Sequence, residues 1–565
     1  MAEQFTEQEK KILLQFCTNV DKDIFALKNL PEAIKGALFS RYSRSPKGLR
    51  RLLLDEFILD KQSGFDEIVT FQVNEKAADL KTAIKKAQDF YDRILDGYGD
   101  DSVGELGGAH VACENVSMIA TKELQHARIG GSPLEKSTRY IYFDQKVNGK
   151  YLFCEEPAIM DSEFRKEYLE LMNFLFDTYA ELKEPMQQFI ENKNPLEGFM
   201  FFDTTTKTER KYSEMADEKA RKRFGIAYRS SAKAKVCDVL RYILPTATIT
   251  NVGIFGNGRF FQELLTKLYS HEAREMQAIS AEMHEELNHL IPSFIRRAGP
   301  NPYYMAKRDE TRKAAGELLR GIAAEAASPV ELVDYDRDAE IKLFAAMMYP
   351  HSNLPLKQLR EKAESLSATE KQKLLDAYIS GRKQRRDKPY RALENVYYTF
   401  DILGDYGMYR DLQRHRILTQ ERQLLTADNG FTVPPEIVEA GFEDKFMACM
   451  QKAARLYYRI AGKHPLEAQY VLPMAYRIRW YMKMNLREAF HFTELRSVQQ
   501  GHQAYRAVAQ QMFRKIQEVH PQLAKYMTYV DMTESYQLER LAAEVRKEEK
   551  KALREHPTGH QLQEY

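Results

Sequence analysis

The 565-residue chain is too long for one ordinary domain, and its 44% hydrophobic and 29% charged residues exclude disorder as the main state. Lys+Arg 84 against Asp+Glu 82 leaves a formal charge of +2, so global charge offers no case for nucleic-acid binding. The five cysteines (Cys17, Cys113, Cys154, Cys237, Cys449) form no CxxC pair. That argues against a disulfide framework or a thiolate zinc site and fits a reducing, cytoplasmic setting.

In chain order, the N-terminal MAEQFTEQEKKILLQF is charged and helical, with no apolar signal core. No apolar run anywhere approaches the roughly 20 residues of a membrane span. Ser137–Phe143 (STRYIYF) is rich in β-branched and aromatic residues and predicts a strand. Asn194–Lys235 is a polar stretch that reads as an insertion. Gly299-Pro300 and Pro302 open a charged, Ala-rich linker. Asn485–Val519 carries apolar residues at helical spacing with no proline, and Ser535–Tyr565 reads as a solvated charged helix.

The chain repeats itself. Leu244-Pro245 and Leu472-Pro473 stand 228 residues apart (472 − 244), and Asn257-x-Arg259 and Asn485-x-Arg487 share that offset. Upstream, HARIGGS (His126–Ser132) pairs more loosely with RHRILTQ (Arg414–Gln420), Arg128 against Arg416. The expected organisation is a first domain over 1–300 with an insertion at 194–235, then a linker over 301–328. A second, homologous domain over 329–532 and a charged tail over 533–565 follow.

Three groups of residues stand out chemically. If 135–140 is extended, Glu135, Ser137 and Arg139 share one face: an acceptor, a hydroxyl and a guanidinium able to read an anion or an amide. The plain alternative is an exposed strand face with one ion pair. Arg414-His415-Arg416 would aim two guanidiniums the same way, which suits phosphate oxygens, or else forms a solvated basic turn. Asn485, Arg487, His491 and Arg496 lie along LREAFHFTELR, with Arg487 and His491 one turn apart; alone, His491 would pass for a packing histidine.

Other signals fail. His284 and His289 are five residues apart and do not share a helix face as zinc ligands would, so no metal is expected. Gly253-x-x-Gly256-x-Gly258 lacks the GK[ST] of a phosphate loop and reads as a turn. The basic runs Arg41–Arg51 and Arg382–Arg391 read as solvated loops.

At these positions the sequence resembles the flavin-dependent thymidylate synthases, whose signature is RHRxxSxNExSxR, and the likeness covers most of the chain twice. VELVDYDRDAEIKLFAAMMY from Val330, ALENVYYTFDIL from Ala392 and Arg414-His415-Arg416-Ile417 follow the family pattern. Asn485, Arg487, Phe492 and Arg496 fit its later NxRxxxxFxxLR stretch. The first half keeps Glu135, Ser137, Arg139 and Tyr140 but has His126-Ala127-Arg128 in place of RHR. The second keeps RHR but has Leu424 and Thr426 at the serine and arginine positions. Arg241 occupies the place of the nucleotide-binding arginine where the second half has Gln469, and Arg496 survives where the first half offers Leu268. Asn395 replaces the family's LEH histidine, and Asp411 replaces the glutamine before RHR.

The resemblance implies a helix-rich α+β fold, with two tandem domains that each hold a small antiparallel sheet and long helices. It also implies FAD as cofactor and conversion of dUMP to dTMP with methylenetetrahydrofolate and NADPH. Because family sites form between subunits, the halves are expected to build composite sites, with a homodimer standing in for the family tetramer. Glu135, Ser137, Arg139, Arg241 and Arg496 would hold substrate, with Ser137 and Arg496 at the chemistry. Arg414, His415, Arg416, Ile417, Asn485, Arg487 and His491 would hold FAD. The competing expectations are a flavin- or nucleotide-binding relative with another pyrimidine modification or lost catalysis, and a non-catalytic scaffold. No membrane partner is expected, and the balanced charge speaks against nucleic acid.

Overall fold

The computed structural model describes residues 5–30, 32–42, 45–58, 104–126, 129–203, 206–325, 328–534 and 537–555. Arg128 and residues 556–565 of the tail lie outside them. The elements used below begin with β1 (Gly108–Ser117), α1 (Met118–Leu124), β2 (Gly131–Glu135), α2 (Arg165–Lys193) and α3 (Glu218–Leu240). Next come β3 (Ile249–Asn257), α4 (Gly258–Tyr269), β4 (Val330–Tyr335), β5 (Tyr397–Asp405), α5 (Tyr406–Leu412) and β6 (Leu418–Arg422). The last are α6 (Glu443–Ala461), β7 (Arg477–Asn485), α7 (Leu486–Arg496), α8 (Gln503–Val519) and α9 (Leu541–Glu555). The fold is helix-rich α+β with small antiparallel sheets, as the resemblance implied.

The chain forms two compact units, one of residues 1–136 with 249–322 and the other of residues 137–248 with 323–565. The first contains a three-stranded antiparallel sheet in the order β1-β3-β2. The second contains a four-stranded sheet in the order β6-β7-β5-β4, so β5-β7-β6 repeats the order β1-β3-β2. Registers agree as well. Gly108 pairs with Asn257 at one end of β1–β3, and Tyr397 pairs with Asn485 at the matching end of β5–β7. The extra residue of β1 is taken up by a bulge between Cys113 and Val116, where Asn115 adopts φ +57°.

Each strand-to-helix junction is capped by the same device. Ser117 and Asp405 accept the N–H groups of Ala120 and Met408 at the starts of α1 and α5; Asn257 and Asn485 do the same for α4 and α7. The helix layer of the second unit rests on α2, whose Tyr168, Leu171, Leu175, Tyr179, Leu182 and Met186 form a buried stripe at helical spacing. α2 packs on α3 and α6.

Several local expectations are corrected. Ser137–Phe143 is not a strand: β2 ends at Glu135, and Ser137 Oγ accepts the N–H of Arg139 in a turn. The side-chain hydrogen bond competes with extended pairing, and the turn carries Arg139 inward. Asn485–Val519 is two helices rather than one, broken over 497–502. A Cβ at Gly501 would stand 2.8 Å from the Tyr505 ring, so the chain passes close there. Gly253 and Gly256 lie within β3, not in a turn; a Cβ on Gly256 would meet the Phe260 ring at 2.3 Å.

The polar stretch 194–235 forms a hairpin, Met200–Asp203 with Thr208–Lys211, followed by most of α3. The tail is not a solvated helix, because α9 packs on α3 with Leu538 and Leu541 buried and Glu539 ion-paired to Lys235 at 2.9 Å. Nor is Arg382 in a solvated loop: it makes a bidentate pair with buried Glu494 at 2.7 and 2.6 Å and lies over the Phe490 and Tyr529 rings.

Candidate functional site

The second unit gathers arginines from distant parts of the sequence. The turn after residue 136 delivers Arg139, the C-terminal end of α3 delivers Arg241, the segment after α5 delivers Arg414, and the last residue of α7 is Arg496. Arg139 makes a two-point pair with Asp238 one turn before Arg241, Nε to Oδ1 and Nη2 to Oδ2, both 2.7 Å. Its third donor, Nη1, reaches the Tyr505 hydroxyl at 3.1 Å, and the Arg496 guanidinium lies 5.8 Å from the same ring. Arg241 Nη1 binds Asp411 Oδ2 at 3.2 Å, and Arg414 Nη2 approaches Asp411 Oδ1 at 3.5 Å.

These four guanidiniums outnumber the carboxylates of Asp238 and Asp411. Burial opposes the charge on Asp411, but Arg241 first, then Arg414, Arg139 and Arg496, hold its pKa far below the ordinary carboxylate value. Asp238 is likewise lowered, burial being outweighed by Arg139. Arg496 is lowered too, by burial first and then by its cationic neighbours Arg414 and Arg139, so there the charged form is disfavoured. The surplus of positive charge gives the cluster the character of an anion receptor.

Arg241 carries the most telling feature. It is 1% exposed, yet its Nε and Nη2 have no hydrogen-bond partner among the described residues. A buried, unsatisfied guanidinium edge is costly unless something fills it. The backbone of Gly407 passes this edge, where a Cβ would stand 3.3 Å from Nε, so glycine keeps it uncovered.

A second group adjoins the cluster. His415 Nδ1 lies 2.6 Å from Glu488 Oε1, and Arg496 Nε lies 2.8 Å from His415 Nε2. His491 lies beside His415 with the rings tilted, centroids 5.5 Å apart. Burial first, then Lys388, Arg385, Arg496 and Arg487, push His491 down to about 4. His415, Glu488 and His491 offer ligand atoms within 4.8 Å of one another. Both ring nitrogens of His415 are nevertheless engaged, and the surrounding cations disfavour a metal ion.

A cavity of about 550 Å³ opens beside the N-terminus of α7, walled by Tyr349, Tyr378 and Tyr397, with Asn395, Glu394 and Asn485 on its surface. Asn485 uses its Oδ1 to cap α7, and Arg487 bridges to Glu394 at 3.1 Å and to the Pro389 carbonyl at 2.8 Å. Arg414, Arg416 and Ile417 are exposed on the segment leading into β6, with buried His415 between the arginines. The two arginines thus lie on the side of the segment away from His415, and Ile417 is exposed after them.

The sequence-derived substrate set therefore divides. Arg139, Arg241 and Arg496 come together. Ser137 is bound to the Arg139 N–H. Glu135 lies buried in the first unit, held by Lys122 Nζ at 2.8 Å, Gln125 at 2.9 Å and Thr121 at 3.2 Å. Sequence reasoning passed over Asp238, Glu488 and Tyr505. Asp238 stands three residues before Arg241 on one helix face, a spacing that predicts a shared site. Asn485-x-x-Glu488 has the outline of a capping box, which hides the reach of Glu488 toward His415.

Comparison with known proteins returns the model of the thymidylate synthase complementing protein family, Thy1, matched twice, over residues 63–293 and 331–522. A UPF0159 protein of Chlamydia pneumoniae is 44% identical over 97% of this chain and 98% of its own length. A flavin-dependent thymidylate synthase of Geobacter sulfurreducens is 29% identical over 34% of this chain and 83% of its own length. A solved UMP/dUMP methylase, PolB from Streptomyces cacaoi with 5-Br dUMP, covers 35% of this chain and 94% of its own at 18% identity and TM-score 0.27.

Proposed function

The chain belongs to the thymidylate synthase complementing protein family as a tandem of two family domains, and we propose that it converts dUMP to dTMP by reductive methylation. Methylenetetrahydrofolate would be the carbon donor, NADPH the reductant and FAD the cofactor. The observation that carries this reading is the Arg139–Arg241–Arg414–Arg496 cluster with the unpartnered edge of Arg241. Arg139 and Arg241 would bind the nucleotide phosphate, with Ser137 beside them, and Arg496 would face the pyrimidine. A guanidinium there stabilises negative charge developing on the ring carbonyls, a contribution of about 3 kcal/mol for one well-placed donor.

The cavity walled by tyrosines and bordered by Asn485 has the size and aromatic lining a flavin ring requires. Asn485 and Arg487 would hold FAD there, with exposed Arg414, Arg416 and Ile417 near its phosphates and His491 beside them. Bound flavin would supply the hydride, and no thiol nucleophile is needed. Glu135, paired internally with Lys122, has a structural part in its own unit in this reading. Two chains would associate to recreate a family-like pseudo-tetramer.

One observation favours a second reading. Asp411, an acceptor-only carboxylate, occupies the position of a family glutamine and lies in the cluster. That suits a base with an exocyclic amino group, as cytosine has, and hence a different pyrimidine nucleotide. The test is direct: purified protein is expected to carry a flavin spectrum that bleaches with NADPH and to release tritium from C5-labelled dUMP when all substrates are present. Binding of dCMP in preference to dUMP, with no release, would replace the first reading by the second.

A further inference from the structure

Arg496 needs a fixed direction to face a bound base, and a long guanidinium side chain in a cationic cluster does not hold one unaided. Its Nε donates to His415 Nε2 at 2.8 Å. That contact requires a lone pair on Nε2, so the ring proton must reside on Nδ1, where Glu488 Oε1 accepts it at 2.6 Å. His415 and Glu488 are both buried, and Phe492 packs on the His415 ring at 4.5 Å, which limits ring rotation. An imidazolium, or the opposite tautomer, would set one N–H donor against another and expel the Nε contact.

We propose that Glu488 and His415 are positioning residues: Glu488 fixes the Nδ1–H tautomer of His415, whose Nε2 then anchors Arg496 by Nε and leaves both terminal nitrogens directed at the pyrimidine. This rests on the reading of Arg496 given above. It also moves His415 from the flavin-holding set to the substrate side of the site. The groups facing the His415 ring are Glu488, His491 and Arg496 from α7, with Arg385 and Lys388 acting on His491 from the loop before β5. Asp411, Arg414 and Arg416 flank His415 on its own segment. With Nε2 occupied as acceptor by Arg496 Nε–H, the ring proton has one place left, and the tautomer is the variable that Glu488 controls.

The experiment uses the full chain labelled with 15N-histidine, the His415 ring signals being assigned by their loss in His415→Asn. The expected pattern is a protonated Nδ1 and a bare Nε2 in the unsubstituted protein, and a mixture of tautomers in Glu488→Ala. Calorimetric titration with dUMP is expected to show at least tenfold weaker binding for Glu488→Ala. Glu488→Gln, which keeps an acceptor, restores the Nδ1–H pattern and recovers most of that affinity, separating positioning from a folding defect. An Nε2–H ring in the unsubstituted protein, or unaltered dUMP binding in Glu488→Ala, overturns the proposal. Failure of the unsubstituted protein to bind dUMP would sink the nucleotide reading instead, while the ring signals still decide the Glu488–His415–Arg496 chain.

Discussion

Pro245 and Pro473 face each other in an antiparallel bridge, and they are the same residue of the two repeats. The hydrogen bonds around them are reciprocal. Thr246 N–H donates to the Leu472 carbonyl and Met474 N–H to the Leu244 carbonyl, each at 2.9 Å. Ala247 N–H donates to the Tyr470 carbonyl and Ala475 N–H to the Tyr242 carbonyl, each at 3.2 Å. Every pair maps onto the other under the 228-residue offset, which is the signature of an isologous two-fold contact. Here one chain makes it with itself.

The symmetry fails at one side chain, and that supplies a test. Thr246 Oγ1 donates to the Gln469 carbonyl at 2.6 Å, whereas its repeat mate, Met474, has no hydroxyl. Both positions are buried. Thr246→Val keeps the shape and leaves the carbonyl without that donor, so a loss of about 1–2 kcal/mol is expected. A urea midpoint shifted downward at constant slope is the measurement.

Ion pairs in the second unit should differ sharply in value. Glu181–Lys445, Glu167–Arg459 and Glu163–Lys463 join α2 and the residues before it to α6 and the residues after it, all with exposed side chains. Each is expected to contribute less than about 1 kcal/mol, so Glu181→Gln should hardly move the thermal midpoint. Lys235 lies between Glu436 at 2.7 Å and Glu539 at 2.9 Å, almost fully enclosed. Lys235→Met leaves two carboxylates facing each other and should cost about 3–5 kcal/mol. Equal effects of the two substitutions would refute this division.

Much of the architecture was legible because repetition in sequence is repetition in structure. The Leu-Pro and Asn-x-Arg motifs lie at β3 and β7 and their approaches, where the two registers agree apart from the bulge in β1. The partners of Arg139 were not legible. Period-two reading of residues 135–140 assumed a strand, while Ser137 turns the chain and Asp238, ninety-nine residues on, captures the guanidinium. Long-range ion pairs leave no local pattern. The same holds for Glu494, which draws Arg382 out of what composition presents as a solvated basic loop.

Arg241 separates charge from geometry. Lysine at this position preserves a cation for Asp411 but lacks the planar fork whose Nε and Nη2 are unpartnered. Arg241→Lys is therefore expected to lower stability by less than about 1 kcal/mol while weakening dUMP binding tenfold or more, or about 1.4 kcal/mol. Calorimetric titration beside thermal melting checks both halves. Affinity unchanged by the lysine would show that only the charge matters.

His502 gives a pH dependence of definite sign. It caps α8 through Nδ1, accepting the Ala504 N–H at 3.2 Å. Burial first, and then Arg241, depress its pKa to about 3. In the unfolded chain the ring titrates near its ordinary value of about 6.5. Between those limits the unfolded state binds the extra proton, so stability falls as pH drops below about 6.5. His491, depressed to about 4, acts in the same direction. Asp411 and Asp238, held low, add their loss only below the ordinary carboxylate value of about 4. Over pH 6.5 to 5 each histidine should account for about 1.6 kcal/mol, the slope reaching 1.36 kcal/mol per pH unit only once the unfolded ring is fully protonated. His502→Asn keeps a capping acceptor and removes the titrating ring. Urea unfolding at both pH values is expected to show a loss on acidification about 1.6 kcal/mol smaller in this variant; an equal loss would mean that the His502 ring takes up its proton over the same pH range in the folded as in the unfolded protein.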